Sequence, residues 1–261
     1  MKKIKIDKTY ELEDFENYCH LWNLNGLSGE GITLLRKIVD SIHSNNYLCP
    51  GKRFPSALIL GDGRLLAKAY INSLQIEEVR ECSGIHLENG YNSSLFFNSS
   101  IIPTAYLIID VDQLTKYGES VLWRYMREGR CTYYNYMTNM IDRTVYCNGL
   151  IILTAKDAQR VAPSILKEVD HTVVIEPFSA ENLKELIHQI LQFCGVVYEN
   201  RVIDEIVKIH PLNMDAVLHL LRNCITLIRA ELADCLTLET VKKAKMLTYG
   251  IYPPFGEGIP F

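Results

Sequence analysis

Four stretches of the chain are apolar almost without interruption: "ALILG", "AYLIID", "GLIILTA" and "TVVIEPF". Each is too short for a stable helix, and a continuous apolar run of this length suits a strand buried on both faces. Between them the period changes. "ITLLRKIVDSIHS" places Ile32, Leu34, Leu35, Ile38, Val39 and Ile42 on one side at helical spacing, and "RLLAKAYINSL" does the same with Leu65, Leu66, Ala69, Tyr70 and Leu74. "QLTKYGESVLWRYMREG" predicts a helix, "GIHLENG" a short strand and turn, and "NNYLCPGKRFPS", with its prolines and glycine, a loop. Buried strands separated by helices predict a parallel sheet covered on both faces.

From "SAENLKELIHQILQFCG" onward the pattern is helical only. Ser179 with Glu181 and Asn182 supplies a helix start, and Gly195 a stop. "NRVIDEIVKIHP", "NMDAVLHLLRNCITLIRAELA" and "TLETVKKAKML" add further amphipathic helices. The division expected is a lead segment over residues 1–30, an α/β core over 31–178, a small helical domain over 179–247, and a tail over 248–261. "CTYYNYMTNMIDRTVYC" reads as an aromatic β-hairpin within the core, suited to simple packing and less to stacking on bases.

Composition narrows the function classes. The 261 residues allow one large domain or two modest ones, and a net charge of −4 supplies no global attraction to nucleic acid. The eight cysteines are scattered with no C-x-x-C pair, and the seven histidines form no metal-spaced pair, so neither a zinc cluster nor a redox dithiol is expected. Ser164 and Ser179 lack a G-x-S-x-G context, which sets a hydrolase triad aside. No secretory h-region and no run of about 20 apolar residues occurs. A reduced, cytoplasmic setting without a membrane span is the expectation.

Ligands of open α/β sheets bind beyond the carboxyl ends of the strands. Here those ends are Gly61-Asp62-Gly63, Asp110-Val111-Asp112 and Thr154-Ala155-Lys156. Their order and spacing, carried by "LILGDGRLLAKAYINSL", "AYLIIDVDQLTKYGESVLWRYM", "LIILTAKDAQRVAPSILKEVDHTVVIEPFSAENLKELI" and "MDAVLHLLRNC", resemble an AAA+ ATPase module of the RuvB type, the branch-migration motors. The resemblance spans most of residues 25–247. It implies a P-loop NTPase, AAA+-like α/β fold with a parallel sheet flanked by helices, followed by a small helical lid. It also implies that Gly61, Gly63, Arg64, Asp110 and Thr154 stand where the family holds nucleotide.

The departures are specific. A Walker A loop, G-x-x-x-x-G-K-[ST], wraps phosphates with backbone N–H groups, neutralises them with its lysine and holds magnesium with its hydroxyl. In this chain "GDG" leads straight into "RLLAKAY", so the intervening residues, lysine and hydroxyl included, are missing. Arg64 offers one charge, and Lys68 lies a turn further in. By the resemblance, Asp110 keeps the magnesium-coordinating type, while Val111 stands where the family has the glutamate that polarises water. The arginine-finger segment "ILKEVDH" has Lys167 and no arginine, and the lid arginine is replaced by Asp215. Losing any one such element costs powers of ten in rate.

The expected function is therefore that of a pseudo-ATPase: a scaffold, adaptor or regulatory subunit with no catalytic residues and no required ATP or ADP. Its partner would be a protein, such as an active AAA+ subunit or a larger machine, with nucleic acid reached only indirectly. Tyr252, Phe255 and Phe261, on a proline-stiffened tail, are the candidate docking residues, unless the tail folds back on its own domain. The resembled motors carry a DNA-gripping winged-helix domain that is not expected after Leu247. Two alternatives stay open: an ATP-dependent DNA-processing enzyme with an aberrant loop, and a nucleotide sensor without hydrolysis.

Overall fold

The computed structural model describes residues 10–24, 27–44, 54–97, 104–135, 140–146, 149–209, 213–231 and 233–249. The described chain divides into two compact units. One contains residues 19–23 and Ser28–Glu176. The other contains the described residues up to Tyr18, Leu24 and Leu27, and the chain from Pro177 onward.

The first unit is built on a five-stranded parallel sheet: β1 (Ala57–Leu60), β2 (Glu78–Ser83), β3 (Thr104–Ile109), β6 (Leu150–Ala155) and β7 (His171–Val174), in the order β2-β3-β6-β1-β7. Four of these are the apolar runs seen in the sequence. The fifth differs from expectation. The strand predicted at "GIHLENG" lies instead at Glu78–Ser83, and Gly84–Leu87 forms a 3-10 turn. As the edge of the sheet, β2 alternates half-buried and exposed side chains and carries Glu78, Arg80 and Glu81, so it lacks an apolar run. Charge on an edge strand also discourages unwanted pairing.

Strand alternation divides the packing. Leu58, Leu60, Tyr106, Ile108, Ile151, Leu153 and Ala155 share one core cluster with Val121, Leu122 and Tyr125 of α5 (Lys116–Glu128) and Ile165 of α6 (Pro163–Glu168). Val145, from the antiparallel hairpin β4 (Arg130–Asn135) and β5 (Met140–Tyr146), joins the same cluster. The opposite face, reached by Ile59, Leu107 and Ile152, is covered by α3 (Arg64–Ser73), beside which packs α2 (Glu30–Ser44). The predicted inward residues of α3 are buried; on α2 the expectation holds except at Leu34, which is exposed. The short helix α4 (Gly90–Phe96) has no legible period in the sequence.

Helix ends follow local chemistry. The Thr115 hydroxyl accepts from the Gly118 N–H and opens α5, and Gly129, at φ 65°, closes it. The second unit holds α1 (Leu12–Tyr18), α7 (Ala180–Phe193), α8 (Val202–Ile209), α9 (Met214–Ala230) and α10 (Leu238–Tyr249). In α7 Ser179 and Asn182 form the reciprocal capping box at the predicted start, and Gly195 lies just past its end at φ 65°. Phe15 meets Phe193 edge-on and Tyr10 lies tilted against the same ring, and Glu16, almost wholly buried, pairs with Arg222 at 3.3 Å. The early chain is thereby tied to α7 and α9, which the sequence pattern does not reveal.

One polar lock fixes the start of β1 against β7. The Asp170 carboxylate accepts from the Ser56 N–H at 2.7 Å and from its hydroxyl at 2.8 Å, and the Asp170 N–H donates back to the Ser56 Oγ at 3.1 Å. Replacing one partner strands the buried Ser56 groups. Asp170→Ala is therefore expected to lower stability by about 1–3 kcal/mol, read as a reduced urea midpoint with unchanged slope.

Candidate functional site

The helices after β1 and β6 leave toward opposite faces of the sheet, α3 to one and α6 to the other. β1 and β6 are neighbours, so their carboxyl ends define the crevice where α/β folds place ligands. Gly61, Gly63, Arg64, Asp110 and Thr154 all lie at or beside this end. The fold therefore gathers the core candidates in one place; Tyr252, Phe255 and Phe261 lie outside the described residues.

The link between β1 and α3 is Gly61-Asp62-Gly63 and nothing more. Gly61 sits at φ 106°, and a Cβ there would stand 2.8 Å from the Ile175 carbonyl oxygen. A Cβ on Gly63 would stand 2.5 Å from the Ile59 Cγ2. Both glycines are thus required by close approach within the protein. The backbone donors also point inward: the Gly61 N–H donates to the Ala155 carbonyl at 2.9 Å, and the Gly63 N–H to the Gly61 carbonyl at 2.9 Å. A phosphate-wrapping loop presents such groups outward.

Arg64 opens α3, and its guanidinium is 2.7 Å from the Glu81 Oε1 on β2. Lys68 Nζ is 3.2 Å from the other oxygen of the same carboxylate. By sequence Arg64 is the vestigial candidate for a phosphate, with Lys68 a turn further in, and Glu81 is not foreseeable, because the strand that carries it has no apolar run. Cys82, next along β2, has its thiol pushed up to about 12 by burial, with the Glu81 charge adding to the effect. It stays neutral and poorly nucleophilic near pH 7.

Asp110 directly follows β3. It adopts the left-handed conformation, φ 56° and ψ 52°, and Val111–Gln113 then form a 3-10 turn. Its side chain does not cap that turn. Its N–H donates to the Thr154 Oγ1 at 3.3 Å, and Thr154 itself is buried. Thr154 therefore braces the end of β3. Val111, at the family's glutamate position, is buried in the core. Lys167 is exposed on α6, and Asp215 lies in the first turn of α9, where a carboxylate favours the helix N-terminus. Among the described residues no cluster of three or more histidine, cysteine or acidic side chains suits a metal ion, and no helix is long and apolar enough to cross a membrane.

A five-stranded parallel sheet with this switch point defines a P-loop NTPase-like α/β fold. Comparison with solved structures makes the class more particular. The chain matches the RuvB Holliday junction branch migration motor of Thermotoga maritima at a TM-score of 0.63 with 15% identity, covering 89% of this chain and 73% of that one. A point mutant of the same protein matches at 0.62 with 15% identity, over 93% and 73%. The chain has a RuvB-like AAA+ fold. No protein-family model and no curated protein sequence matches it.

The geometry of the β1–α3 turn makes Gly61 the sensitive position. Gly61→Ala adds both an unfavourable φ and a contact with the Ile175 backbone. It is expected to cost about 1–3 kcal/mol, measured by chemical denaturation, whereas Arg64→Ala at the open ion pair should change stability by under about 1 kcal/mol.

Proposed function

We propose that this protein is a catalytically silent AAA+-like module that works through protein–protein contacts, as scaffold, adaptor or regulatory subunit. The observation that carries the reading is the three-residue link from β1 to α3, with the N–H groups of Gly61 and Gly63 both bonded to the protein's own carbonyls. A triphosphate needs a longer loop with outward donors, a lysine and a hydroxyl. Further support comes from Val111 in place of a water-polarising carboxylate, from Lys167 where an arginine finger would fall, and from Asp215 in place of a lid arginine. These positions bear on four separate contributions to hydrolysis, so restoring any one would leave the others missing.

The fold supplies the rest of the reading. AAA+ subunits assemble through surfaces of core and lid, and a subunit can keep those surfaces without the chemistry. The proposed partner is a protein, an active AAA+ subunit or a larger machine, and the aromatic tail is its proposed docking element. The likeness to a branch-migration motor favours the alternative of an ATP-driven DNA-processing enzyme, and the same measurements separate the two.

A ligand present at a hundred times its Kd stabilises a fold by about 2.7 kcal/mol. We expect no shift in melting temperature with ATP–Mg or ADP, and no phosphate release with or without branched DNA. Turnover would defeat the reading, and a thermal shift without turnover would replace it with a nucleotide sensor. Affinity capture with the full chain, compared with a chain ending at Leu247, is expected to lose its reproducible protein partner on truncation; identical partners in both would remove the tail from the proposal.

A further inference from the structure

The cations at the opening of α3 already have an anion, and it belongs to the chain. Arg64 is the first residue of the helix and Lys68 follows about one turn later. Glu81 reaches both, one oxygen to each, at 2.7 and 3.2 Å. A phosphate group bridges two cations in the same manner, through separate oxygens. Gly63 gives the helix no side-chain cap, so the positive end of its dipole adds to the charge of Arg64. The Arg64 side chain is 43% exposed and that of Glu81 28%, so a soluble anion has access to the pair.

We infer that Glu81 is a tethered counter-ion that keeps phosphate-bearing anions off the opening of α3. The inference rests on the nucleotide-independent reading above and states how that independence is maintained at its remaining charges. A carboxylate fixed on β2 competes as an intramolecular ligand, at an effective concentration that a free anion must exceed. The Arg64–Glu81 pair is open enough to contribute little to folding, so removing the carboxylate frees the guanidinium at small cost there, while the more buried Lys68 carries the larger share of any loss in stability.

The test is a calorimetric titration of inorganic tripolyphosphate, and separately of ATP–Mg, into the full chain. The proteins are wild type, Glu81→Gln, and Glu81→Gln combined with Arg64→Ala, each checked by melting temperature. Glu81→Gln is expected to bind tripolyphosphate at least about tenfold tighter than wild type, with the gain weakened by salt and abolished by the added Arg64→Ala. Equal affinities for wild type and a folded Glu81→Gln would overturn the inference, and so would a gain that survives loss of Arg64. Should Glu81→Gln fail to fold, Glu81→Asp, which draws the charge back by one methylene, is expected to show a smaller gain; none would overturn the role of Glu81. Micromolar binding of ATP–Mg by the wild-type chain defeats the nucleotide-independent reading itself, whereas uniformly weak binding by every variant defeats only the counter-ion.

Discussion

The turn that ends β1 constrains everything around it. Three residues must carry the chain from a strand in the sheet to a helix on its face, and they manage it by backbone contact. The Gly61 N–H reaches the Ala155 carbonyl across the sheet, and the Ile175 N–H donates to the Leu60 carbonyl from the other side. Gly61 approaches Ile175 so closely that no side chain fits. With β6 and β7 both tied to this point, α3 can start only at Arg64, and its register over the sheet follows. Leu65, Leu66, Ala69 and Tyr70 then turn inward, and Arg64 and Lys68 are left on the side of Glu81.

The same constraint decides where the backbone donors of the β1–α3 link are directed. In a P-loop the backbone donors between strand and helix are satisfied by phosphate or by water. In this turn two of them, the N–H groups of Gly61 and Gly63, are bonded to the protein's own carbonyls. Thr154 and Asp110 show a related change of role. The threonine hydroxyl accepts a backbone N–H from Asp110, which holds the end of β3 to β6 and stabilises a left-handed residue that would otherwise be costly. The Thr154 hydroxyl thereby serves the architecture, while one oxygen of the Asp112 carboxylate is buried without a hydrogen-bond partner among the described residues.

Electrostatics at the crevice follow from an edge strand. Glu81 belongs to β2, the outermost strand, whose exposed positions tolerate charge because they face water on one side. That tolerance places a carboxylate within reach of two cations on α3 and neutralises them without burying an unpaired ion. The neighbouring thiol of Cys82 is held neutral by burial and by the same carboxylate. The face of the fold that would attract phosphate is therefore balanced by a residue 17 positions beyond Arg64 in the chain.

Much of this is legible in the residues themselves. Four apolar runs name four strands, Ser179 and Asn182 name the start of α7, and the spacing between Leu60 and Arg64 already leaves only three residues for the link from β1 to α3. These features are local: a run, a cap and a spacing each carry their own physics within a few residues. The tertiary structure alone decides the rest. β2 has no apolar run because an edge strand needs none, so Glu81 could not be assigned to Arg64 and Lys68 from sequence. Asp110 takes the left-handed conformation with its carbonyl close against Gly84 and its N–H bonded to Thr154, and Glu16, buried, pairs with Arg222, 206 residues later. Such pairings depend on long-range juxtaposition, which composition and period do not encode.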